Sequence, residues 1–171
     1  MTVAAADLCK AVNAVWDASA LDATFKGLWA PSVVEADWEV LHDGSGFAEG
    51  ASAGQPFPYV VFDQPGGGTT DRMSSKGAFV REIRDMPFTF RVHARAIAGD
   101  VRTAKQVAAD LAEEVMKVFG GHPVTHPAGL TLDNGNFLIT RYVNDYGVRT
   151  GEDEHLWTIA YSFRIDVPVS V

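Results

Sequence analysis

The chain has little cysteine, few basic residues and no long hydrophobic run. Its 171 residues include one cysteine, Cys9, which excludes an intramolecular disulfide framework and favours a reducing compartment. No uninterrupted apolar segment approaches the roughly 20 residues that a membrane-spanning helix needs, so we expect no membrane association. The first residues lack a basic segment and place Asp7 and Lys10 within an apolar stretch, which argues against a secretory signal.

The shortage of positive charge bears on nucleic-acid binding. Lysine and arginine number 14 against 22 aspartate and glutamate residues, and the formal net charge is -8. Because affinity for nucleic acid comes from neutralising phosphates, an acidic chain is a poor candidate for gripping its backbone. The length and the 47% hydrophobic content predict one globular domain over residues 1–171.

Three local patterns suggest chemistry, and each lacks the structural context that the chemistry needs. The glycine-rich segment FDQPGGGTTDRMSSKG resembles a phosphate-binding loop, but Lys76 precedes a glycine and a predicted strand instead of a helix. His122 and His126 have a metal-ligand spacing that only a helix would bring onto one face, and nearby prolines forbid that helix. Ser52 is the centre of a G-x-S-x-G match without the strand and helix of a nucleophile elbow. The sequence therefore predicts a non-enzymatic protein with no catalytic residue, metal site or cofactor.

Hydrophobic periodicity predicts an α+β fold. One helix is predicted at residues 2–16 with a short continuation before Pro31, and the clearest helix spans Asp100–Phe119 with Asp100 as its cap. Alternating patterns predict strands at 57–63, 78–84, 88–97, 137–148 and 155–167, with a turn at 85–87. The predicted order is α-β-β-β-α-β-β, in a mainly antiparallel sheet with two helices packed on one face.

Two long connections are predicted to lie on the surface. Residues 30–55 form a loop or arm with one strand-like piece at Asp37–His42, and residues 64–77 form a mobile loop. Candidate contacts with another subunit or a partner lie at three places, although a solvated sheet face is the competing interpretation of the basic row. They are the basic row Arg91, His93 and Arg95, the acidic turn Glu152, Asp153 and Glu154, and the loop residues Gly66, Gly67, Gly68, Thr69, Thr70 and Arg72.

The order of elements and several stretches resemble the tail terminator, or tail completion, proteins of long-tailed bacteriophages and of gene transfer agents. The stretches are PFPYVVF (Pro56–Phe62), MPFTFRVHA (Met86–Ala94) and DVRTAKQVAADLAEEV (Asp100–Val115), and WTIAYSFRIDV (Trp157–Val167) is similar to the family's closing strand. The segment 30–54 departs from the pattern because it is longer and richer in glycine than a minimal member needs.

The resemblance implies a structural virion protein, assembled in the host cytoplasm and placed at the head–tail interface. Such proteins form a hexameric ring on the head-proximal end of the tail tube, stop its growth and offer a surface to the head-completion, or neck, protein. DNA would pass through the lumen without specific binding. The alternatives are another neck, connector or tail tube component, or an unrelated small α+β domain that binds a ligand.

Overall fold

The computed structural model describes residues 3–44, 54–64, 69–74, 80–120 and 129–169. The described helices are α1 (Val3–Ala18), α2 (Leu21–Lys26) and α3 (Ala104–Phe119), with a 3-10 turn at Glu35–Asp37. The described strands are β1 (Leu41–Asp43), β2 (Tyr59–Asp63), β3 (Thr69–Ser74), β4 (Val80–Arg95), β5 (Asn136–Arg149) and β6 (Glu154–Val169).

The described strands form one six-stranded sheet in the order β1-β2-β4-β6-β5, and β3 pairs with the first part of β4. The pairs are antiparallel, except that β1 runs parallel to β2. The α+β class predicted from the sequence is confirmed. The strand order leaves β1 and β5 at opposite edges of the sheet.

The core lies between the helices and one face of the two long central strands. Because side chains alternate across a strand, β4 and β6 each turn one apolar series toward the helices. The register pairs Phe88 with Tyr161 and Phe90 with Ile159, and all four side chains are buried. Helix α3 covers them with apolar residues at helical spacing. Its buried residues are Val107, Ala108, Leu111, Ala112, Val115, Met116 and Phe119.

Helix α3 begins later than the sequence predicts. Thr103 is its cap, and a capping box joins the Thr103 side chain to the backbone of Gln106 and the Gln106 side chain to the backbone of Thr103. The carboxylate of Asp100 instead accepts hydrogen bonds from the backbone and the guanidinium of Arg102. The helix ends at Gly120, whose φ of 100° suits glycine.

The predicted turn at 85–87 is wrong, because β4 passes through it as a single strand. The prediction relied on Pro87, which cannot donate to a sheet ladder. On one side of β4 the pairing with β3 ends at Asp85 and the pairing with β2 begins at Thr89. Pro87 lies in the gap between these two neighbours, where no described strand needs its missing N–H.

The two predicted surface connections contain more regular structure than expected. The interval 64–77, predicted as a mobile loop, includes β3, which pairs with residues 80–85 of β4. Its sequence TTDRMS has no apolar alternation, so the strand depends on its partner and not on a local pattern. In the arm at 30–55, the strand-like piece Asp37–His42 overlaps the 3-10 turn, and the strand itself, β1, is short. Residues Ser52, Lys76, His122 and His126 lie outside the described residues.

The close approach of β5 to β6 gives a test of the register. Gly147 pairs with Trp157, and a Cβ added to it would lie 2.6 Å from Trp157 Cε3 and 2.7 Å from His155 Nε2. We expect Gly147→Ala to lower the free energy of unfolding by about 1–3 kcal/mol, because a close-packed site cannot accept the methyl group without strain. Urea denaturation measures the change.

Gly129→Ala is the matched control, because no atom of the described residues lies within 4 Å of a Cβ at that position. It should change the free energy of unfolding by less than about 0.5 kcal/mol. Equal effects of the two substitutions would contradict the register of β5 described here.

Candidate interaction surfaces

The predicted basic row lies on the sheet face opposite the helices, and its charges are paired within the chain. Arg91 Nη1 donates to Asp63 Oδ2 at 3.2 Å. Arg95 Nε donates to Glu154 Oε1 at 2.8 Å, and its guanidinium lies 4.0 Å from the centre of the Phe57 ring. A charge reversal at either arginine would therefore disturb the subunit itself.

His93 does not belong to an exposed row. It is buried, and its ring stacks on that of Tyr59 with the ring centres 4.6 Å apart and the planes 5° apart. The strand prediction assigned its face correctly, but the sequence did not show that β2 would bring an aromatic ring against it. Burial on this face depends on side chains of the neighbouring strands, so the alternation along β4 alone could not predict that His93 is buried.

The predicted acidic turn joins β5 to β6 and is tied to the end of β4. Glu154 pairs with Arg95 across the sheet, and the Asp153 carbonyl accepts from the backbone N–H of Ala96 at 3.2 Å. Arg149 donates to the carbonyls of Gly151 and Glu152, both at 2.9 Å. The structure thus brings one basic and one acidic candidate together inside a single subunit, while Glu152 and Asp153 remain exposed.

The third candidate group is divided. Thr69, Thr70 and Arg72 lie on β3, where their backbones pair with Asp85, Arg84 and Glu82 of β4. The glycines Gly66, Gly67 and Gly68 lie outside the described residues. A contact role for these six residues stays a prediction.

A group of exposed apolar side chains on β5 was not predicted from the sequence. Five large hydrophobic side chains of this edge strand are between 44% and 58% exposed. They are Leu138, Ile139, Val143, Tyr146 and Val148, and we call them the β5 apolar edge. The signal was present in FLITRYVNDYGV, which holds more apolar residues than one core-facing side of a strand can bury.

Two bulges shape the β5 apolar edge. The register of β5 on β6 shifts between Phe137 and Ile139 and again between Tyr142 and Asn144, so that Leu138 and Val143 are the extra residues. Ile139, Tyr146 and Val148 pair with β6 residues of the face opposite the helices. Bulges interrupt the ladder of an edge strand and so oppose the addition of another strand. The edge is therefore suited to contact through side chains more than through backbone pairing.

Asp145 holds the second bulge in place from the helix side. Its carboxylate accepts from the Tyr142 hydroxyl and, at 2.8 Å, from Trp157 Nε1. Burial and the adjacent Asp145 carboxylate raise the pKa of Tyr142 to about 12, so the phenol keeps the proton that it donates. These two hydrogen bonds join both sides of the bulge at Val143 to strand β6.

A cleft of about 540 Å³ lies between the start of α3 and the β5–β6 turn. Its charged lining includes Lys105, Arg149 and Arg102, and Arg102 is already bound to Asp100 and Asp110 at 2.6 and 2.8 Å. His155 lines it as well and is 9% exposed. The described lining residues carry charges of both signs and include no nucleophile beside a base.

Further chemistry is limited in the described part of the chain. Burial, followed by the charge of Asp43, raises the pKa of the Cys9 thiol to about 11, which leaves it protonated and unreactive near neutral pH. Among the described residues, no group of three or more His, Cys, Asp or Glu side chains could hold a metal ion. No described helix combines the length and the apolar character needed to cross a bilayer.

No protein-family model and no curated protein matches this chain. One similar solved structure is a chain of "Virion of native gene transfer agent (GTA) particle", with 19% sequence identity and a TM-score of 0.45. The alignment covers 74% of this chain and 78% of that chain. A likeness at this level supports no conclusion about function.

The burial of His155 generates a pH prediction. Burial, and then the charge of Lys105, lowers the pKa of His155 below its ordinary value of 6.5. The unfolded chain then takes up the proton first, so the contribution of His155 to stability is intact above pH 6.5 and declines as pH falls toward the folded pKa. We expect His155→Gln to reduce the loss of stability between about pH 7.5 and about pH 5.5.

Urea denaturation of both proteins at the two pH values measures this difference. Some pH dependence should remain in the variant, because burial also lowers the pKa of His42. An unchanged pH dependence in His155→Gln would show that His155 titrates normally in the folded chain.

Proposed function

We propose that the chain is a structural virion protein that caps the head-proximal end of a phage or gene transfer agent tail tube as a ring. The ring stops tube growth and forms the joint to the neck protein. The resemblance of Pro56–Phe62, Met86–Ala94 and Asp100–Val115 to tail terminator proteins supports this proposal. The structural observation that carries it is the β5 apolar edge, a surface suited to contact with another protein.

A capping subunit must fold before it assembles, and the described core is consistent with this requirement. Helices α1, α2 and α3 and the strands β2, β4 and β6 contribute buried residues to one cluster. The Tyr161 hydroxyl also donates to the Gly120 carbonyl, which joins the end of α3 to the centre of the sheet. The side chains of the β5 apolar edge are not part of this packed interior and stay exposed after folding. Contact with another subunit would remove them from water.

On the sheet face opposite the helices, the described charges of β4 and β6 fit a protein that DNA passes without binding. Among the described side chains of β4 and β6, three arginines lie on this face, and each has a carboxylate partner in the chain. The pairs are Arg91–Asp63, Arg95–Glu154 and Arg164–Asp85. Paired arginines in a chain of net charge -8 offer phosphates little gain over water and counterions.

The competing functions differ in what they expect of the purified chain. A tail tube subunit would polymerise without limit, and a neck component would bind the tube without stopping its growth. A ligand-binding domain would use a pocket such as that of about 410 Å³ beside Trp29, Phe57 and Ile97. The one charged residue that lines this pocket is Arg95, which is already paired with Glu154, so the described lining offers no cluster of polar groups to orient a ligand.

The first test combines native mass spectrometry, negative-stain imaging and a tube-growth assay with the tail tube protein from the same genome. We expect closed rings of about six subunits, or monomers that form rings on tube ends, and tubes that stop growing when the chain is added. Tyr146→Glu should abolish ring formation, because a charge would have to be buried in the contact.

Val101→Glu is the matched control, because Val101 is 99% exposed and lies outside β5. It should form rings as the unchanged chain does. Unlimited polymerisation of the chain alone would identify a tube subunit. A monomer that ignores tubes and melts at a higher temperature with a small ligand would overturn the proposal in favour of a binding domain.

A further inference from the structure

We infer that the β5 apolar edge binds a second copy of this chain through the acidic segment that precedes β1. We define this acidic edge by Val34, Glu35, Asp37 and Glu39. The inference rests on the proposed function in so far as a ring requires a contact between copies, and it names the two surfaces that form that contact.

The acidic edge lies at the sheet edge opposite β5 and is held in a defined position. It leads into β1, the last described strand on that side, through the buried residue Val40. Trp38, between two of the acidic residues, packs against the core cluster. Gln55 Nε2 donates to the Glu39 carbonyl at 3.1 Å. The segment therefore presents its carboxylates from a fixed backbone.

The charges of the two edges are complementary. Glu35, Asp37 and Glu39 are exposed and form no ion pair with the described residues. Arg141 is exposed on β5, on the same face as Tyr146, and also forms no ion pair with the described residues. Most other arginines already have carboxylate partners, so Arg141 is a cation that a second copy can neutralise.

The apolar surfaces also match. Val34 is the exposed large hydrophobic residue of the acidic edge, and it stands next to Glu35. On β5, Arg141 lies between Ile139 and Val143 in the chain, both of which are exposed. Each edge thus places an apolar side chain beside a charge, and the charge on one edge is opposite in sign to the charge on the other. Such an arrangement gives a contact both affinity and a fixed register.

A symmetric contact between two β5 strands fits these observations less well. It would bring Arg141 and Arg149 of both copies into one interface. The only carboxylate on β5 is that of Asp145, which faces the helix side and is bound to Tyr142 and Trp157. Like charges without a partner disfavour such a dimer.

A contact between opposite edges joins copies head to tail. Each copy uses its β5 apolar edge toward one neighbour and its acidic edge toward the other. Such a heterologous contact repeats from copy to copy and closes into a ring when the rotation between subunits allows it.

Charge exchange between the two edges tests the inference. We expect Arg141→Glu alone, and Glu35→Lys with Asp37→Lys, each to weaken self-association at least about tenfold, because each puts like charges into the contact. An equimolar mixture of the two variants should recover assembly. In the mixture each reversed β5 edge meets a reversed acidic edge, and the native edges meet each other, so the recovered assemblies contain both variants in equal numbers.

Lys105→Glu is the control, because it makes the same charge change at an exposed position of α3. It should assemble as the unchanged chain does. Sedimentation velocity and native mass spectrometry measure assembly, and thermal unfolding of each variant shows whether the subunit has folded. Variants that unfold are replaced by Arg141→Gln and by Glu35→Gln with Asp37→Gln. These neutral substitutions should also weaken assembly.

The outcomes separate this inference from the proposed function. Rings that cap tubes and ignore both sets of substitutions would overturn the inference and leave the capping function standing. Open chains that both sets disrupt, without any effect on tube growth, would support the inference and overturn the capping function. Loss of assembly in Arg141→Glu with no effect at Glu35 and Asp37, or no recovery in the mixture, would overturn the inference.

Discussion

The antiparallel pairing of β4 with β6 is the constraint on which the rest of the described structure depends. It runs without a register shift from the Val80–Val169 pair to the Arg95–Glu154 pair. The helices cover one face of this pair, β2 and β3 share the outer side of β4, and β5 is attached only to β6. A shift of one residue would turn Phe88 and Phe90 to the opposite face and remove the core.

The two faces of this central pair have different physical roles. The helix side is filled by aromatic and branched side chains that are nearly all buried, and it provides most of the hydrophobic stabilisation. The opposite side carries pairs such as Asp85–Arg164, in which two hydrogen bonds of 2.9 and 2.7 Å join partly exposed groups. Pairs of this kind add little stability, but they neutralise the face and favour one register. The apolar side chains that stay exposed lie mostly on β5, which has no neighbour on its outer side among the described residues.

Much of the fold could be predicted, and the candidate surface could not. The helices α1 and α3 and the strands β2, β5 and β6 follow from periodicity, because a local pattern decides them. Strand β3 has no such pattern, and Pro87 marks a break that the structure does not contain. The basic row was predicted from the alternation of β4, but the carboxylates that neutralise it come from β2 and β6. The excess of apolar residues in β5 is visible in the sequence, but only the order of the described strands shows that these side chains lie at a sheet edge and stay exposed.

The sequence by itself determined the class of fold, the acidic character, and which side chains of each long strand face the same way. These properties depend on composition and on spacing along the chain, which folding does not change. Only the tertiary structure decided that Arg91 and Arg95 are paired, that His93 is buried, and that β1 and β5 lie at opposite edges. Those properties depend on which strands become neighbours, and that choice is made by contacts between residues far apart in the chain.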